Sequence, residues 1–448
     1  MFNDPICAIA TPYGVGAISI IRCSGEKCHQ LVNQIFKGKD LTKAKPNTIN
    51  YGYIVDEGQA IDEVLISIFK APHCFTGEES LEINCHGGIY NTNRVLECLL
   101  SHGFRMAEPG EFSRRAFLNG RIDLTQSEAI MDVINSSSDI ALRASVHSLR
   151  KSTNKLVVNM RSHLVDLISK IEVNIDYPEY DDAIVMTDEI AIPMLEELIK
   201  ECNDVLDNSK ISVVAIHGIK TAIVGKPNVG KSSLLNRLLE EDKAIVTDIA
   251  GTTRDTIEGD LNLGGVTLKL IDTAGIRNSD DVVEKIGIER SKRAINDAEL
   301  ILLMLDPTNE LSDVDKELLE LTKSKTRIII YNKADLKNDF KPEENSILIS
   351  AKTGEGIELL EKKLIEITRI NEFNVNDSNY LTNARHVAKM REALNSLNQA
   401  LDGCKNHIDI DMIELDVKAA WYSLGEIIGD TNSDTLITEL FSRFCLGK

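Results

Sequence analysis

The chain has 448 residues, 43% hydrophobic and 27% charged, a composition typical of a globular protein with two to four domains. Its net charge of −20 argues against a protein that holds nucleic acid by bulk electrostatic attraction. Nine scattered cysteines without a CxxC pair argue against a structural zinc site, and the lack of a long apolar run or a signal-peptide pattern predicts neither a membrane span nor secretion.

Residues 1–118 are predicted to form a small α+β domain. Three strand-like runs and one helix-like run alternate there, at 17–22, 64–69, 81–85 and 94–100. The sequence CHGG resembles an esterase oxyanion turn, but no GxSxG nucleophile elbow occurs, so serine hydrolysis is excluded. The absence of GxGxxG argues against a dinucleotide site.

Two segments with helical periodicity lie on either side of the centre of the chain. Apolar residues recur at spacings of three and four in 122–210 and again in 380–445. This pattern favours one helical domain with an α/β module inserted in it, because domains with neighbouring termini tolerate insertion. Separate helical arms are the alternative. The predicted boundaries are 119–215 and 371–448 for the two helical parts and 216–370 for the inserted module.

The central motif is TAIVGKPNVGKSSLLNRLL, in which residues 225–232 fit GxxxxGK[ST]. An apolar run precedes it and a helix-like run follows, which is the context of a phosphate-binding loop. Backbone N–H groups of such a loop face the phosphates, Lys231 would reach the terminal phosphates and Ser232 would bind Mg²⁺. The predicted nucleotide-binding residues here are Asn228, Val229, Gly230, Lys231, Ser232 and Ser233.

Three later motifs indicate that the nucleotide is GTP. DTAG follows an apolar run and would approach Mg²⁺ and the γ-phosphate. NKAD resembles the guanine-reading element of GTPases, since the Asp335 carboxylate can accept from two guanine N–H donors that adenine does not present together. SAK resembles the element whose backbone N–H contacts the guanine oxygen. The predicted residues are Asp272, Thr273, Ala274, Gly275, Asn332, Lys333, Asp335, Ser350, Ala351 and Lys352.

The segment VTDIAGTTRD, between the phosphate loop and DTAG, is predicted to be a switch. Thr253 would be the second Mg²⁺ ligand and would be ordered by the γ-phosphate. The other predicted GTP-binding residues of the segment are Thr247, Asp248, Ile249, Ala250, Gly251 and Thr252.

Ile276 occupies the position where many GTPases carry the glutamine that orients the attacking water. Isoleucine cannot form that hydrogen bond, so another polar group must act. The following segment offers several candidates, and composition alone does not select one: Arg277, Asp280, Asp281, Glu284 and Glu289. A monovalent cation could supply positive charge near the phosphates, and Asn228 is suited to help hold it.

The chain ends in FCLGK, with Cys445 four residues from the end. Prenylation fits poorly, because Gly447 is not aliphatic and Lys448 is not a usual terminal residue. A frayed tail with an incidental cysteine is the simple alternative.

Over essentially its whole length the chain resembles the MnmE (TrmE) family of tRNA-modification GTPases. The resemblance rests on motifs throughout the sequence: ATPYGVGAISIIRCSG, FTGEESLEINCHGG, PGEFSRRAFLNGRIDLTQSEAI, GKPNVGKSSLLN, GTTRD, DTAGIR, VEKIGIER, NKAD and FCLGK. It implies a multidomain α/β and α protein with an N-terminal α+β domain that binds folate and dimerises, a helical domain, and an inserted Ras-like P-loop GTPase domain.

The family resemblance also implies an activity. A cytoplasmic homodimer would act with the flavin-dependent partner MnmG (GidA), which carries FAD, in a hetero-oligomer. Together they would add an aminomethyl or carboxymethylaminomethyl group to the wobble uridine of certain tRNAs. The carbon would come from 5-formyltetrahydrofolate or a related tetrahydrofolate. The implied folate contacts are Arg22, Glu82, Arg121 and Lys448, and position 121 is often lysine in the family.

The resemblance assigns Glu284 to orient the attacking water in GTP hydrolysis. It assigns Cys445 to a different step, in which the thiol would assist the tRNA modification near the folate. It implies K⁺ ligands at Asn228, Thr247, Ile249 and Thr252, and Mg²⁺ ligands at Ser232 and Thr253. The alternative function is a GTPase switch that assists ribosome assembly. Such a switch would be expected to carry a basic RNA-binding domain, whereas the flanks here are helical and partly acidic.

Overall fold

The computed structural model describes residues 4–176, 186–240, 244–245, 259–271, 292–336, 340–342, 346–375, 377, 379–430, 434–442, 444 and 447. The chain divides into two compact units, Met1–Met131 with Gly425–Lys448, and Asp132–Leu424. The division falls inside two helices, α4 (Leu124–Ile134) and α12 (Ile410–Ile428). Within the described ranges, no helix is both long and apolar enough to cross a membrane.

The first unit contains a seven-stranded sheet. Its strands are β1 Ile6–Ile9, β2 Ile18–Ser24, β3 Phe36–Gly38, β4 Thr48–Asp56, β5 Gln59–Phe69, β6 Ser80–His86 and β7 Arg105–Met106. They lie in the order β3-β4-β5-β6-β2-β1-β7, and every neighbouring pair is antiparallel except β1 and β7. Val64, Ile66 and Ile68 are buried at every second position of β5, so one face of the sheet meets the core.

Helices cover this sheet and complete the α+β unit. They are α1 Cys28–Ile35, α2 Ile89–Ser101, α3 Glu111–Leu118 and, from the end of the chain, α13 Asp434–Ser442. Val32 of α1 and Val95 of α2 share a core with Ile21 and Ile66 of the sheet. Phe441 of α13 packs with Phe117 beside the end of α3. The prediction of an N-terminal α+β fold is confirmed.

The second unit contains another seven-stranded sheet. Its strands are β8 Ile219–Val224, β9 Ala244–Ile245, β10 Gly259–Leu263, β11 Val266–Leu270, β12 Leu300–Leu305, β13 Thr326–Tyr331 and β14 Ser346–Leu348. The order is β14-β13-β12-β8-β11-β10-β9. Five strands are parallel, β14 through β11 in that order, while β10 and β9 pair antiparallel at one edge. All six residues of β12 are buried, as expected for a parallel strand covered on both faces.

The helices that lie wholly within the second unit are α5 Asp139–Leu149, α6 Ser152–Asp176, α7 Ile192–His217, α8 Lys231–Glu240, α9 Asp313–Leu321, α10 Ile357–Thr368 and α11 Ala384–Lys405. A short helical segment also covers 292–297. Helix α7 leads into the sheet through a single residue, Gly218. Helix α11 comes later in the chain, after the strands of this sheet and α10.

The two ends of the α/β module lie side by side. The Ser209 hydroxyl of α7 accepts from the Leu381 N–H at 2.8 Å, and the Ser212 hydroxyl donates to the Leu381 carbonyl at 2.6 Å. His217, the last residue of α7, lies 2.7 Å from the Thr382 carbonyl through Nε2. The chain therefore enters and leaves the sheet at one place, which confirms an α/β module inserted between helical segments.

Candidate functional site

The predicted phosphate loop lies between β8 and α8. Buried β8 ends at Val224, the loop spans 225–230, and Lys231 begins the helix. Gly230 has φ +104°, and a Cβ there would lie 2.1 Å from the Asn332 amide nitrogen, so a side chain is not tolerated. The helix N-terminus directs its unpaired N–H groups toward the loop, which is the arrangement that binds phosphate.

Lys231 lies across this loop. Its amine donates to the carbonyl oxygens of Gly225 at 2.8 Å and Lys226 at 2.9 Å. Burial lowers the pKa of Lys231, because water no longer stabilises the charged amine. A partly buried cation held by carbonyl oxygens is suited to bind an anionic phosphate.

Asn332 connects the phosphate loop to the predicted guanine-reading elements. This residue follows β13 and is 3% exposed. Its amide nitrogen donates to the Val229 carbonyl at 2.8 Å, and its amide oxygen accepts from the Ala351 N–H at 2.9 Å. One buried side chain thus joins three segments that are far apart in sequence.

Asp335 and Ser350 lie together at the same end of the sheet. The buried Ser350 hydroxyl donates to Asp335 Oδ1 at 2.8 Å. Asp335 is exposed, and its second carboxylate oxygen has no partner among the described residues. The carboxylate is therefore held in place with one oxygen available to accept from a base. Nearby, the carbonyl of exposed Lys352 accepts from Arg237 at 2.5 Å.

Two ion pairs at this site did not emerge from the sequence. Lys333 Nζ lies 2.6 Å from Asp306 Oδ2, and Lys226 Nζ lies 3.0 Å from Asp315 Oδ2. Burial alone would raise the pKa of Asp306, but hydrogen bonds from Lys333 and Thr308 lower it to about 2. Asp306 directly follows the buried strand β12. Because the carboxyl ends of parallel strands meet at one edge of a sheet, this position could have indicated from the sequence that Asp306 lies at the nucleotide site.

Asn228 occupies the exposed tip of the phosphate loop. It has a left-handed backbone with φ 60°, which asparagine tolerates better than most residues. Its side-chain amide makes no hydrogen bond within the described part of the chain. This oxygen is therefore available to a cation beside the phosphates. Ser232 is half-buried in the first turn of α8, and Ser233 is exposed beside it.

The remaining predicted residues of the nucleotide site, and two of the tail, lie outside the described residues. They are Thr247, Asp248, Ile249, Ala250, Gly251, Thr252, Thr253, Asp272, Thr273, Ala274, Gly275, Glu284, Cys445 and Lys448.

The first unit holds a second site, centred on Arg22 and Glu82. These residues face each other across the antiparallel pair β2 and β6. The guanidinium donates to Glu82 Oε1 through Nε at 2.9 Å, and Nη2 lies 2.8 Å from the same oxygen. Both side chains are about 25% exposed, so the pair remains open to a ligand.

Aromatic rings surround this ion pair. The Arg22 guanidinium carbon lies 5.9 Å from the centre of the Phe75 ring and 5.8 Å from that of Phe112. A cavity of about 100 Å³ is bounded by these rings, by Phe69 and by the ion pair. The site combines a charge pair with flat apolar walls, which suits a planar polar ring.

The end of the chain reaches this site. Arg22 Nη1 donates to the Gly447 carbonyl at 3.1 Å. Gly447 is buried with φ +89°, and a Cβ there would lie 2.4 Å from the Ile9 carbonyl oxygen. Only glycine fits this position against β1. The family resemblance implies that Arg22 and Lys448, in the tail, contact the same ligand. The hydrogen bond between Arg22 and Gly447 could be found only in the structure.

Arg121 is near the site through its backbone partner. Its Nε donates to the Cys74 carbonyl at 3.3 Å, next to the wall residue Phe75, and the side chain is otherwise exposed. The structure thus brings Arg22, Glu82 and Arg121 to one region of the first unit.

A buried charge network supports the helix that carries Phe112. Arg115 of α3 is 1% exposed. Its Nη2 lies 2.9 Å from Glu111 Oε1, and its Nη1 lies 3.2 Å from Glu78 Oε2. Arg105 also binds Glu111, at 2.7 Å. Burial would raise the pKa of Glu111, but the hydrogen bond from Arg105 lowers it, so the network keeps its charges.

Sequence models of two protein domains match the chain: the GTP-binding protein TrmE N-terminus over residues 5–121 and the MnmE helical domain over residues 124–445. The tRNA modification GTPase MnmE of Acholeplasma laidlawii (strain PG-8A) is 51% identical over 444 residues, 99% of each chain. That of Ligilactobacillus salivarius (strain UCC118) is 48% identical over 455 residues, 99% of this chain and 98% of that protein.

A solved structure of Era in complex with MgGDPNP and nucleotides 1506–1542 of 16S ribosomal RNA is 28% identical over 33% of this chain and 56% of that chain. Its TM-score of 0.25 is too low to support an argument about fold.

Proposed function

Because this chain belongs to the MnmE family of tRNA modification GTPases, we propose that its GTP hydrolysis is stimulated by potassium and drives the modification of a wobble uridine. The protein acts with the flavin-dependent partner MnmG, which carries FAD, in the cytoplasm. Together they install an aminomethyl or carboxymethylaminomethyl group on certain tRNAs. Similarity over the full length to tRNA modification GTPases favours this function over a ribosome-assembly switch.

The contacts of three described residues support their roles in the proposed GTP site. Lys231 binds the terminal phosphates, Asn332 fixes the loop under them, and the Asp335 carboxylate accepts from the guanine N–H groups. Mg²⁺ would be held by Ser232 and Thr253 and would neutralise charge on the phosphates. Glu284 orients the attacking water in place of the glutamine that Ile276 replaces.

The potassium site would use the exposed amide of Asn228 together with Thr247, Ile249 and Thr252. Asn228 supports this assignment, because it lies at the tip of the phosphate loop and its amide has no partner within the described ranges. A cation there adds positive charge where negative charge develops during hydrolysis.

The folate proposal rests on one observation: the Arg22–Glu82 pair, about one-quarter exposed, beside two phenylalanine rings. Glu82 accepts from the N–H donors of a pterin, and Arg22 donates to its carbonyl or carboxylate oxygens. Arg121 and Lys448 would bind the acidic tail of the ligand. A bound 5-formyltetrahydrofolate, or a related tetrahydrofolate, supplies the one-carbon unit. Cys445 assists this step from the segment between Phe444 and Gly447, both of which are buried in the first unit.

An exposed apolar face supports a homodimer through the first unit. Ile49 and Tyr51 of β4 are 68% and 57% exposed, and Leu65, opposite Tyr51 on β5, is 46% exposed. Alternate residues of a strand share one face, so these side chains form one patch, and such patches mark interaction surfaces.

The test is calorimetric titration of 5-formyltetrahydrofolate into the nucleotide-free protein. We expect saturable binding by the wild type that is weakened at least about tenfold in Arg22→Ala, because a charge-assisted hydrogen bond is lost. Arg143→Ala, an exposed arginine of the second unit, is the matched control and should bind normally. No binding in a folded protein that still binds GTP would overturn the folate assignment.

A further inference from the structure

A second group of polar side chains in the first unit lies at the end of α2, and no role has been given to it. Asp56 is the last residue of β4, Cys98 lies in the last turns of α2, and His102 caps that helix. A carboxylate oxygen, the thiol sulfur and a ring nitrogen of these residues all lie within 4.8 Å of one another. We propose that Asp56, Cys98 and His102 bind one thiophilic divalent cation of the zinc class.

The helix itself brings two of the ligands together. Residues four apart lie on the same side of a helix, so Cys98 and His102 face one another across a turn. The sulfur of Cys98 lies 3.9 Å from His102 Nδ1. Sulfur and nitrogen ligands of a tetrahedral zinc ion lie about 3.6 Å apart, so a small shift of the imidazole would bring these two atoms to the spacing of zinc ligands.

Local hydrogen bonds already hold the imidazole over the thiol. His102 Nδ1 lies 2.7 Å from the Cys98 carbonyl and 3.2 Å from the Ser101 hydroxyl. Nδ1 is also the ring nitrogen that lies nearest the Cys98 sulfur. To bind a cation, Nδ1 would exchange the Cys98 carbonyl for the metal, and the ring proton would move to Nε2, the nitrogen that does not bind the metal.

The surroundings favour a cation with access to solvent. The three side chains border a groove of about 540 Å³, and Cys98, only 1% exposed, forms part of its floor. Carboxylates of Asp56, Glu57 and Glu97 line the groove, against one guanidinium. Three protein ligands leave a fourth tetrahedral position for water.

The donor set decides the class of ion. A thiolate and an imidazole suit Zn²⁺ and related ions, whereas Mg²⁺ and Ca²⁺ prefer oxygen ligands. No CxxC pair is involved, which is why cysteine spacing in the sequence argued against zinc. The site requires a strand residue 42 positions before the cysteine, as the numbering of Asp56 and Cys98 shows.

Arg94 competes with the cation. Its guanidinium lies 3.4 Å from Asp56 and 3.2 Å from Glu97 through different nitrogens, and its side chain is 41% exposed. Removal of the Arg94 charge frees the Asp56 carboxylate and removes the electrostatic repulsion between the guanidinium and the cation. The proposal thus predicts that a substitution of Arg94 tightens metal binding.

The experiment is a titration of chelator-treated, full-length, nucleotide-free protein with Co²⁺ as the probe. A thiolate ligand produces a sulfur-to-cobalt charge-transfer band in the near ultraviolet, which an all-oxygen magnesium site cannot produce. We expect one Co²⁺ per chain with this band, displaced by Zn²⁺. Cys98→Ser should abolish the band, whereas Cys202→Ser and Cys445→Ser, which leave the three ligands intact, should keep it.

Further variants separate ligation from folding. His102→Ala should weaken cobalt binding at least about tenfold, and Arg94→Gln should tighten it about fivefold. Zn²⁺ should raise the melting temperature of the wild type but not of Cys98→Ser, because a cation that binds the native state stabilises it. A band that persists in Cys98→Ser, or a folded wild type that binds no Co²⁺ with a thiolate band, would overturn the proposal.

Discussion

The guanidinium of Arg22 donates a hydrogen bond of 3.1 Å to the carbonyl oxygen of Gly447, which lies 425 positions later in the chain. The same guanidinium pairs with Glu82. A residue proposed to bind folate therefore also anchors the segment that carries Cys445. The side chain of Arg22 therefore serves both the proposed ligand binding and the positioning of the tail in the first unit.

Gly447→Ala should displace the tail. The added Cβ would meet the Ile9 carbonyl at 2.4 Å, and φ +89° is unfavourable for alanine. We expect at least about tenfold weaker binding of 5-formyltetrahydrofolate by calorimetry, with GTP affinity unchanged. Gly58→Ala is the matched control, since Gly58 has φ +84° but open space around its Cβ position. Equal folate binding in both variants would show that the tail does not contribute.

Asp335→Asn should lower GTP affinity by about 100-fold. The carboxylate, held by Ser350, would accept two charge-assisted hydrogen bonds from guanine, whereas an amide presents a donor there. The variant should gain affinity for xanthosine triphosphate, whose ring offers an acceptor instead. Fluorescence titration measures both, with the exposed Asp313→Asn as control. Unchanged GTP affinity would remove Asp335 from base recognition.

Glu284→Ala should keep GTP affinity and lose most hydrolysis. Loss of a group that orients and polarises water lowers the rate constant by about 10²–10⁴-fold. Phosphate release under single-turnover conditions separates this step from binding. Glu289→Ala removes another carboxylate of the same segment and should hydrolyse GTP normally. Normal turnover in Glu284→Ala would assign the catalytic role to a different residue.

GTP hydrolysis should be faster in potassium chloride than in sodium chloride at equal ionic strength. Potassium would be held by the Asn228 amide, which has no partner within the described residues. Asn228→Ala should bring the ratio of the two rates toward one, whereas Asn236→Ala, exposed on the neighbouring helix α8, should preserve it. Identical rates of the wild type in both salts would exclude the cation.

Asp306→Asn should change the pH dependence of stability. The folded pKa of Asp306, about 2, is below its ordinary value of 3.8, so the carboxylate contributes stability above about pH 4 that is lost as pH falls toward 2. The contribution is about 2 kcal/mol. Urea unfolding at several pH values should show the difference from wild type shrinking across that interval. A difference independent of pH would contradict the paired carboxylate.

The sequence alone was sufficient to predict the features that depend on residues close together in the chain. The phosphate loop, its strand and its helix follow from glycine spacing and apolar runs within about 20 residues, as such motifs do. The pairs Lys333–Asp306 and Lys226–Asp315 depend on strand order, which no local pattern encodes. The same holds for Arg22, since its partner Glu82 is set by the register of β2 and β6.

Gly218 has a mechanical consequence. It is the one residue between α7, 26 residues long, and β8, whose far end carries the phosphate loop. At 1.5 Å per residue the helix is about 39 Å long. A rotation of about 5° at this joint would move the distant end of a helix of that length by about 3 Å. A small change of backbone angle at Gly218 would therefore become, at the far end of α7, a displacement comparable to the distance over which side-chain contacts form or break.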